Sequence, residues 1–202
     1  MSTGENEWDD YAEGWDDDVA VQAYAEAAFG TLLNVLTRHG ISLQGAEVLD
    51  FGCGTGTLTE RVAARGSVVQ AVDTSTAMLG VLEDKVANAG WSGVSTSLVI
   101  PAARSFDVVL CSSVCAFLDD YPGTVRELVS LLRPGGVFVQ WDWEWNEDDA
   151  EPFGLSRSAI RATLTEVGLG DVVVDTAFSL SIEGHEMAPV IGHGVLGADN
   201  TA

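Results

Sequence analysis

The chain has 202 residues, of which 47% are hydrophobic and 20% charged, a composition that suits one domain with a substantial core and excludes wholesale disorder. Its net charge is −22, from 31 acidic against 9 basic residues, and such a surface repels phosphates, so nucleic acid is a poor partner. No apolar run approaches the roughly 18–20 residues of a membrane-spanning helix, so no membrane partner is expected.

The start of the sequence and the cysteines bear on location and metal binding. MSTGENEWDD has no basic region and no apolar signal core, which predicts a cytoplasmic protein. Cys53, Cys111 and Cys115 form no CxxC pair and are odd in number, which disfavours a disulfide framework and a zinc site. The acidic run over 147–151 is interpreted as a solvated loop rather than a Mg²⁺ or Ca²⁺ site, so no metal is predicted.

The hydrophobic pattern divides the chain into an N-terminal extension over 1–40 and a compact domain over 41–202. The first 18 residues place Trp8, Tyr11 and Trp15 among many acids. Apolar residues then recur at helical spacing over 20–38, and Gly40 supplies a stop for that helix.

Strand and helix patterns alternate through the domain. Short apolar runs predict strands over 46–51, 68–72, 94–100, 106–111, 137–143, 172–178 and 187–192, and helical patterns fall over 57–65, 76–89, 122–132 and 157–167. Thr57 and Glu60 have the spacing of a capping box. Strands separated by helices indicate an α/β fold with a doubly wound, mainly parallel sheet of seven strands, whose ligand lies at the carboxyl ends of the strands.

The first predicted strand ends in a loop of alternating glycines, VLDFGCGTG over 48–56. Glycine lets the chain turn sharply and lets a ligand approach the backbone, and the following helix offers free N–H groups. Asp73 ends the next strand, where a carboxylate can accept hydrogen bonds from both hydroxyls of a ribose. Loop and acid together predict a nucleoside-containing cofactor. The spacing is GxGxG, with Thr57 where a dinucleotide fingerprint needs glycine, which disfavours nicotinamide.

The sequence closely resembles class I methyltransferases that use S-adenosylmethionine (SAM), especially those related to ubiquinone and menaquinone methyltransferases. VLDFGCGTG is similar to the family's first motif, VDTSTAML (72–79) to its second-strand motif, SFDVVLCSSV (105–114) to its fourth strand and LLRPGG (131–136) to the turn before strand five. WDDYAEGWDD (8–17) resembles the N-terminal segment of those members, and 154–169 resembles the last helix. The resemblance implies a Rossmann-like sheet, SAM as the cofactor and S-adenosylhomocysteine (SAH) as its product.

The resemblance also implies roles for the matching residues. The glycines would pass close to the methionine part and ribose of SAM, with Asp50 beneath them near the amino group. Asp73 would bind the ribose hydroxyls, Met78 would pack against the adenine, and the N-terminal aromatics would form part of a lid. The residues expected to contact the cofactor are Asp50, Gly52, Cys53, Gly54, Gly56, Asp73, Thr74, Met78, Ser97, Ser112, Ser113, Tyr11 and Trp15.

The sequence departs from the family in one respect. Members usually carry an acid after strand three that binds the adenine amino group, whereas the stretch from 97 onwards has no acid before Asp107. Backbone groups, a hydroxyl such as that of Ser97, or packing would then hold the adenine.

The aromatic cluster WDWEW over 141–145 would place its three rings on one face of a strand, near where an acceptor enters. Trp141 is interpreted as core beneath the last helix, whereas Trp143 and Trp145 are candidates for an aromatic wall against a flat or cationic acceptor. His39 is expected to cap a helix, and His193 to be structural or exposed. His185 is a candidate general base, and no catalytic residue is assigned.

The sequence thus predicts an enzyme that transfers a methyl group from SAM to a small-molecule acceptor. Two alternatives stay open. One is a protein that binds SAM or SAH without transferase activity, and the missing adenine acid supports it. The other is a nicotinamide-dependent oxidoreductase, which Thr57 and the order of the motifs disfavour.

Overall fold

A computed structural model describes residues 6, 8–103, 105–145, 153–182 and 184–197. The helices in these ranges are α1 (Val19–His39), α2 (Thr57–Ala63), α3 (Thr76–Ala89), α4 (Tyr121–Ser130) and α5 (Arg157–Glu166), with 3-10 turns at Asp9–Tyr11, Trp15–Asp17 and Cys115–Phe117. The strands are β1 (Glu47–Phe51), β2 (Val68–Val72), β3 (Val94–Ser97), β4 (Phe106–Ser112), β5 (Leu132–Asp142), β6 (Leu169–Thr176), β7 (Leu180–Ile182), β8 (His185–Met187) and β9 (Val190–Leu196).

Seven strands form one sheet in the order β3-β2-β1-β4-β5-β9-β6, while β7 and β8 form a separate hairpin. The pairs from β3 through β5 are parallel, and β9 runs antiparallel to both β5 and β6. The predicted α/β, doubly wound, mainly parallel sheet of seven strands is confirmed. The strand order reverses between β1 and β4, and ligands bind such sheets at the carboxyl ends of the strands beside that reversal.

Side chains of the central strands alternate between two apolar layers. In β4, Val108 and Leu110 lie in the layer that includes α1 and α2, whereas Val109 and Cys111 lie in the layer that includes α4 and α5. All four are fully buried. Helices therefore cover both faces of the sheet, which explains why its central strands are continuous apolar runs in the sequence.

Helix α1 has a defined start and end. The Asp18 carboxylate accepts the Ala20 N–H at 2.7 Å, and Gly40 closes the helix in the left-handed conformation. At 21 residues α1 is long and apolar enough to cross a membrane by length and composition, although polar residues interrupt its apolar sequence. In the fold one face of α1 packs against the sheet. Its buried side chains are Ala25, Ala28, Phe29, Leu32, Val35 and Leu36.

Two sequence-predicted boundaries are wrong near the middle of the chain. β3 ends at Ser97 rather than at 100, because the Ser97 hydroxyl donates to the Val99 carbonyl and accepts the Val99 N–H, which turns the chain. α4 ends at Ser130, and β5 already begins at Leu132, so the predicted strand over 137–143 starts too late. The RPGG turn belongs to this strand, with Gly135 at φ +83°.

The predicted last strand over 187–192 is two separate strands. Gly184, at φ +85°, turns the chain between β7 and β8. Pro189 has no N–H to give to a ladder and separates β8 from β9, while its carbonyl accepts the Ala177 N–H at 2.8 Å. β6 likewise lies at 169–176 rather than 172–178.

The predicted capping box of α2 is also wrong. Gly56 is the N-cap residue and makes no side-chain cap, and Glu60 lies 3.1 Å from Arg61 instead. The acidic run over 147–151, interpreted above as a solvated loop, lies outside the described residues.

A histidine pair lies where the end of α1 meets β9. His193 is 4% exposed, and its ring centroid is 5.9 Å from that of His39, the last residue of α1. Within the described part of the chain, His193 Nδ1 and His39 Nε2 have no hydrogen-bond partner. Burial, followed by the charges of His39 and Arg38, lowers the pKa of His193 to about 4. His193 is therefore a buried, neutral side chain.

We expect wild-type stability to fall relative to that of the His193→Gln variant as the pH is lowered. The pKa of about 4 lies below the ordinary 6.5, so protonation favours the unfolded chain. This contribution is complete above 6.5 and is lost as the pH falls towards 4. Urea unfolding of both proteins across that range measures it, and subtraction cancels the other titrating groups. A difference independent of pH would contradict the assignment.

Candidate functional site

The loop after β1 holds its three glycines in the left-handed region, at φ +70° (Gly52), +54° (Gly54) and +84° (Gly56). A Cβ on Gly52 would lie 2.5 Å from Val114, and a Cβ on Gly56 would lie 2.4 Å from Leu82, so neither position has room for a side chain. A Cβ on Gly54 would meet nothing within 4 Å. The backbone at Gly54 is therefore open to a ligand.

Asp73, directly after β2, is held against this loop. Gly54 N donates to Asp73 Oδ2 at 2.8 Å, and Ser75 N donates to Oδ1 at 2.9 Å. The Asp73 N–H in turn donates to the Ser97 carbonyl at 3.2 Å. Each carboxylate oxygen has a second lone pair, so this fixed and half-buried group can still accept two hydroxyl donors.

Asp50, in β1, lies buried beneath the loop with 1% exposure. Thr59 donates to Asp50 Oδ2 at 2.6 Å, whereas Oδ1 has no partner among the described residues. Burial, opposed by the Thr59 hydrogen bond and assisted by the charge of Asp73, raises the Asp50 pKa to about 6. A buried carboxylate oxygen without a partner is suited to accept a hydrogen bond from a cationic or N–H group of a ligand.

Three hydroxyl groups meet at the exit of β4, those of Ser112 and Ser113 and that of Tyr24 from α1. Ser113 has φ +54°, which is uncommon for a residue other than glycine, and its N–H donates to the Trp141 carbonyl at 2.8 Å. Its hydroxyl donates to that of Tyr24, from α1, at 3.0 Å, and Ser112 also hydrogen-bonds Tyr24. Burial raises the pKa of Tyr24 to about 12. Tyr24 is therefore a neutral phenol that can act as a hydrogen-bonding group but not as a base at neutral pH.

A buried polar network lies behind this exit, centred on Asp142, which ends β5 and is 0% exposed. Asp142 Oδ1 accepts the Ala116 N–H at 3.1 Å, and Oδ2 accepts the Gln140 side-chain amide at 3.1 Å. Gln140 in turn accepts the Tyr121 hydroxyl at 2.7 Å. Burial raises the pKa of Asp142 to about 7. The carboxyl group thus fixes the Cys115–Phe117 turn from inside the core.

The N-terminal segment crosses the β2–α3 connection. The Asn6 side chain donates to the Thr74 hydroxyl at 3.1 Å. Asp9 accepts the Ser75 hydroxyl at 2.5 Å and the Ala77 N–H at 3.4 Å, at the start of α3. These contacts attach the segment next to Asp73.

The same segment is attached again on the other side of the glycine loop. The Thr55 hydroxyl donates to Asp16 Oδ1 at 2.7 Å, and Asp16 pairs with Lys85 of α3. The Lys85 ammonium also lies 3.6 Å from Glu60 of α2. The sequence contains no other lysine. A segment tied to both flanks of the loop has the position expected of a lid.

Cys53, Ser97, Met78 and Trp15 are further residues that the sequence predicts at the cofactor site. Burial raises the pKa of the Cys53 thiol well above its usual value, so it is not a nucleophile at neutral pH. The Ser97 hydroxyl is used in the Val99 turn, and Met78 is 3% exposed at the start of α3. Trp15 lies 6.4 Å from Tyr11, ring to ring.

The tryptophan cluster is divided among different surroundings. Trp141 is fully buried as expected, but its Nε1 donates to Thr31 at 2.9 Å, so it packs beneath α1 rather than the last helix. β5 ends at Asp142, and beyond it Trp143 is half-buried with its ring 6.0 Å from Tyr24, while Trp145 is 46% exposed. The three rings therefore do not share one continuous strand face.

The remaining polar candidates lie elsewhere. His185 is exposed in the β7–β8 hairpin. Asp107 stands at the start of β4, where it accepts the Glu47 N–H at 2.9 Å and pairs with Arg133 at 2.9 Å, so it is structural. Among the residues that the structure describes, no group of three or more His, Cys, Asp or Glu side chains could hold a metal ion.

Sequence reasoning missed Tyr24, Thr59 and Asp142. In the sequence, Tyr24 is one of the apolar positions that predict α1, and Thr59 is one residue of the next helical pattern. In the sequence, Asp142 is an acid between two tryptophans, with nothing to mark it as buried. Their roles come from contacts between elements distant in sequence, for which the local pattern contains no signal.

Part of the chain is similar to known methyltransferases. Residues 49–140 match the methyltransferase domain family. The ubiquinone biosynthesis O-methyltransferase of Methylobacterium nodulans is 32% identical over 105 residues, which are 50% of this chain and 42% of that protein. The enzyme of the same name from Stutzerimonas stutzeri is 32% identical over 109 residues, 52% of this chain and 47% of that protein. The match thus spans less than half the length of these curated relatives.

Solved structures show the same fold. Magnesium protoporphyrin IX methyltransferase from Synechocystis with bound SAM superposes with a TM-score of 0.70 at 18% identity, covering 97% of this chain and 100% of that one. A 1,6-didemethyltoxoflavin N1-methyltransferase from Burkholderia thailandensis, bound to 1,6-didemethyltoxoflavin and SAH, gives a TM-score of 0.72 at 18% identity, covering 94% and 87% of the two chains.

We expect Asp142→Ala to destabilise the protein by about 2–5 kcal/mol, because it leaves the buried Ala116 N–H and Gln140 amide without an acceptor. Asp142→Asn keeps an oxygen for Ala116 and should cost less. Urea unfolding near pH 6 measures both, and equal losses would contradict the acceptor role.

The Asp142→Asn comparison also has a pH dependence. The raised pKa means that the stabilising contribution of the protonated carboxyl group is fully present below 3.8 and is lost as the pH rises through about 7. Wild-type stability relative to Asp142→Asn should therefore fall over that window. Denaturant titrations at several pH values test the sign, and a rise would show that the carboxylate form is the preferred one.

Proposed function

We propose that the protein binds SAM at the glycine loop and transfers its methyl group to a small molecule, since residues 49–140 match a methyltransferase domain. One arrangement carries the proposal: an open glycine backbone joined to Asp73 by the Gly54 N–H, above the orphaned oxygen of Asp50. This arrangement supports a ligand that has both a ribose and a cationic amino group.

The residues present fit such a cofactor. Asp50 Oδ1 would accept the ammonium group, whose positive charge would favour the ionised carboxylate. Asp73 would use its free lone pairs for the ribose hydroxyls. The segment after β3 offers the adenine no acidic partner, since its first acid, Asp107, is committed to Glu47 and Arg133. We propose that packing by Met78 and the lid, together with backbone groups near Ser97, holds the adenine.

When bound, SAM supplies an electrophilic methyl group on a sulfonium, which needs no further activation by the protein. The chain contributes orientation and exclusion of water, and orientation alone can lower a barrier by about 7–11 kcal/mol. Ser113 and Tyr24 hold their hydroxyl groups in a fixed pair at the exit of β4, where they can position an acceptor by hydrogen bonds. The N-terminal segment covers the loop from both flanks.

No side chain of the site is assigned as a general base. Tyr24 stays protonated, because burial raises its pKa to about 12. His193 is buried at the end of α1, and His185 belongs to the separate hairpin. We therefore propose transfer that depends on alignment, with an acceptor that is already nucleophilic or loses its proton to solvent. The proposed acceptor is a metabolite in the cytoplasm, and neither nucleic acid nor a membrane is proposed as a partner.

Calorimetric titration with SAM, SAH and NAD separates the candidate functions. We expect SAM and SAH to bind and NAD not to bind, because Thr57 and the lid leave a site shaped by GxGxG rather than by a dinucleotide fingerprint. Tight NAD binding would support an oxidoreductase. A screen of methyl acceptors with SAM distinguishes a transferase from a binding protein without activity. Failure of both SAM and SAH to bind at millimolar concentration would overturn the proposal.

We expect Asp73→Asn to weaken SAH binding about 10- to 100-fold, because hydrogen bonds to a charged group contribute about 1.5–3 kcal/mol. Asp84→Asn is the matched control, since it removes the same charge from an exposed position on α3. Calorimetry measures both variants. Equal, small losses would show that only net charge matters, and would remove Asp73 from the cofactor site.

Deleting residues 1–17 should weaken SAH binding while leaving the thermal midpoint largely unchanged. The deletion keeps Asp18, which caps α1, but removes the contacts of Asp9 and Asp16 with the loop region. Asp16→Asn gives a milder version, because it weakens the pairing with Lys85 and Thr55. Unchanged affinity in the deletion variant would reject the lid.

A further inference from the structure

A cavity of about 370 Å³ opens between the N-terminal segment and the turn after β4, lined by Trp8, Asp10, Tyr11 and Phe117. Its volume lies in the range of small-molecule sites, about 300–1,000 Å³. None of the functions assigned so far to the glycine loop, Asp50 or Asp73 uses these four side chains together.

The walls of the cavity are aromatic rings set at steep angles to one another. Trp8 and Phe117 meet edge to face, with centroids 5.0 Å apart at 87°, and Trp8 and Tyr11 lie 6.0 Å apart at 49°. Tyr11 is 56% exposed and Phe117 is 47% exposed. Such large apolar surfaces normally pack inside, so rings that stay open around a cavity indicate a ligand surface rather than core.

The charge of the cavity has one sign. Asp10 is the charged residue of the lining, and within the described ranges its carboxylate has no ion-pair partner. Lys85 pairs with Asp16 and Glu60, and Arg157 pairs with Glu144, so neither of these cations neutralises Asp10. Together with a net charge of −22, this disfavours an anionic ligand and favours a cationic one.

We propose that this cavity is an anchoring subsite for an organic cation, a protonated amine or quaternary ammonium group carried by the methyl acceptor. Aromatic faces attract such a group through their quadrupoles, and a carboxylate adds a direct charge partner. Assigning the bound cation to the acceptor rests on the proposed function, whereas the preference of the cavity for cations does not.

The position of the cavity connects it to the reaction site on two sides. Phe117 ends the turn that Asp142 fixes through the Ala116 N–H, directly after Ser112 and Ser113. Trp8 precedes Asp9, whose carboxylate is bonded to Ser75 beside Asp73. A molecule anchored here by its cationic end can thus extend towards the hydroxyl groups at the exit of β4. The anchored group itself is not the reacting atom.

Choline and its neutral isostere 3,3-dimethyl-1-butanol provide a matched pair of probes, because they differ in charge but hardly in shape. We expect choline to bind the full-length protein, loaded with SAH, about tenfold more tightly than the alcohol in an NMR titration. Added salt should weaken the binding of choline and leave that of the alcohol unchanged. Equal affinities for the two probes would show a merely apolar cavity and overturn the proposal.

Variants locate the subsite. Asp10→Asn should weaken choline binding and reduce its salt dependence, and Phe117→Leu should weaken it several-fold while keeping an apolar side chain. Trp91→Leu is the control, since this half-buried tryptophan precedes β3, at the amino end of the strands. Loss of choline binding in Trp143→Leu but not in Phe117→Leu would overturn the assignment in favour of the wall predicted from the sequence.

The cofactor is tested separately. SAH affinity should be the same with and without choline, and close to wild type in Asp10→Asn. Competition between choline and SAH would show that the cavity belongs to the cofactor, which overturns the subsite and leaves the proposed function intact. Absence of SAH binding altogether would instead overturn the proposed function, and choline binding by the ligand-free protein would still report on the cavity.

Discussion

The hydrogen bond from Gly54 N to Asp73 Oδ2 is the contact on which the site depends. It fixes the glycine loop after β1 to the carboxyl end of β2, so that an open backbone and a carboxylate approach one ligand together. Gly52 and Gly56 permit this path of the chain, because Val114 and Leu82 fill the space that a Cβ would need. The N-terminal segment attaches next to the same contact, through Ser75 on one flank and Thr55 on the other.

Two buried carboxyl groups serve this edge of the sheet in different ways. Among the residues that the structure describes, one oxygen of Asp50 has no partner, which suits a ligand donor. Asp142 instead has both oxygens bonded within the core and holds the turn that carries Phe117. Burial raises both pKa values, to about 6 and about 7. A charged ligand group beside Asp50 would stabilise its ionised form, while Asp142 retains its neighbours whether or not a ligand is bound. Under the proposed function, Asp50 binds the ligand and Asp142 positions the turn.

Three acidic residues of the N-terminal segment have different surroundings. Asp9 and Asp16 make the contacts that attach the segment, whereas the carboxylate of Asp10 lines a cavity between aromatic rings. Acidic residues close together in the sequence thus make different contacts. Sequence could identify the stretch as aromatic and acidic, but not which acid would meet Ser75, Lys85 or open space, because that depends on how the 3-10 turns lie across α3.

The sequence by itself determined the α/β class, the mainly parallel sheet, and the glycine loop followed by Asp73. These are local signals: apolar runs, helix stops and glycine spacing follow from backbone geometry and the burial of a sheet on both faces. Tertiary structure alone decided the pairing of Tyr24 with Ser113, the burial of Trp141 beneath α1, the split of the last strand at Pro189, and the cavity beside Phe117. Each joins elements far apart in the chain, so its energy comes from packing that no short segment encodes.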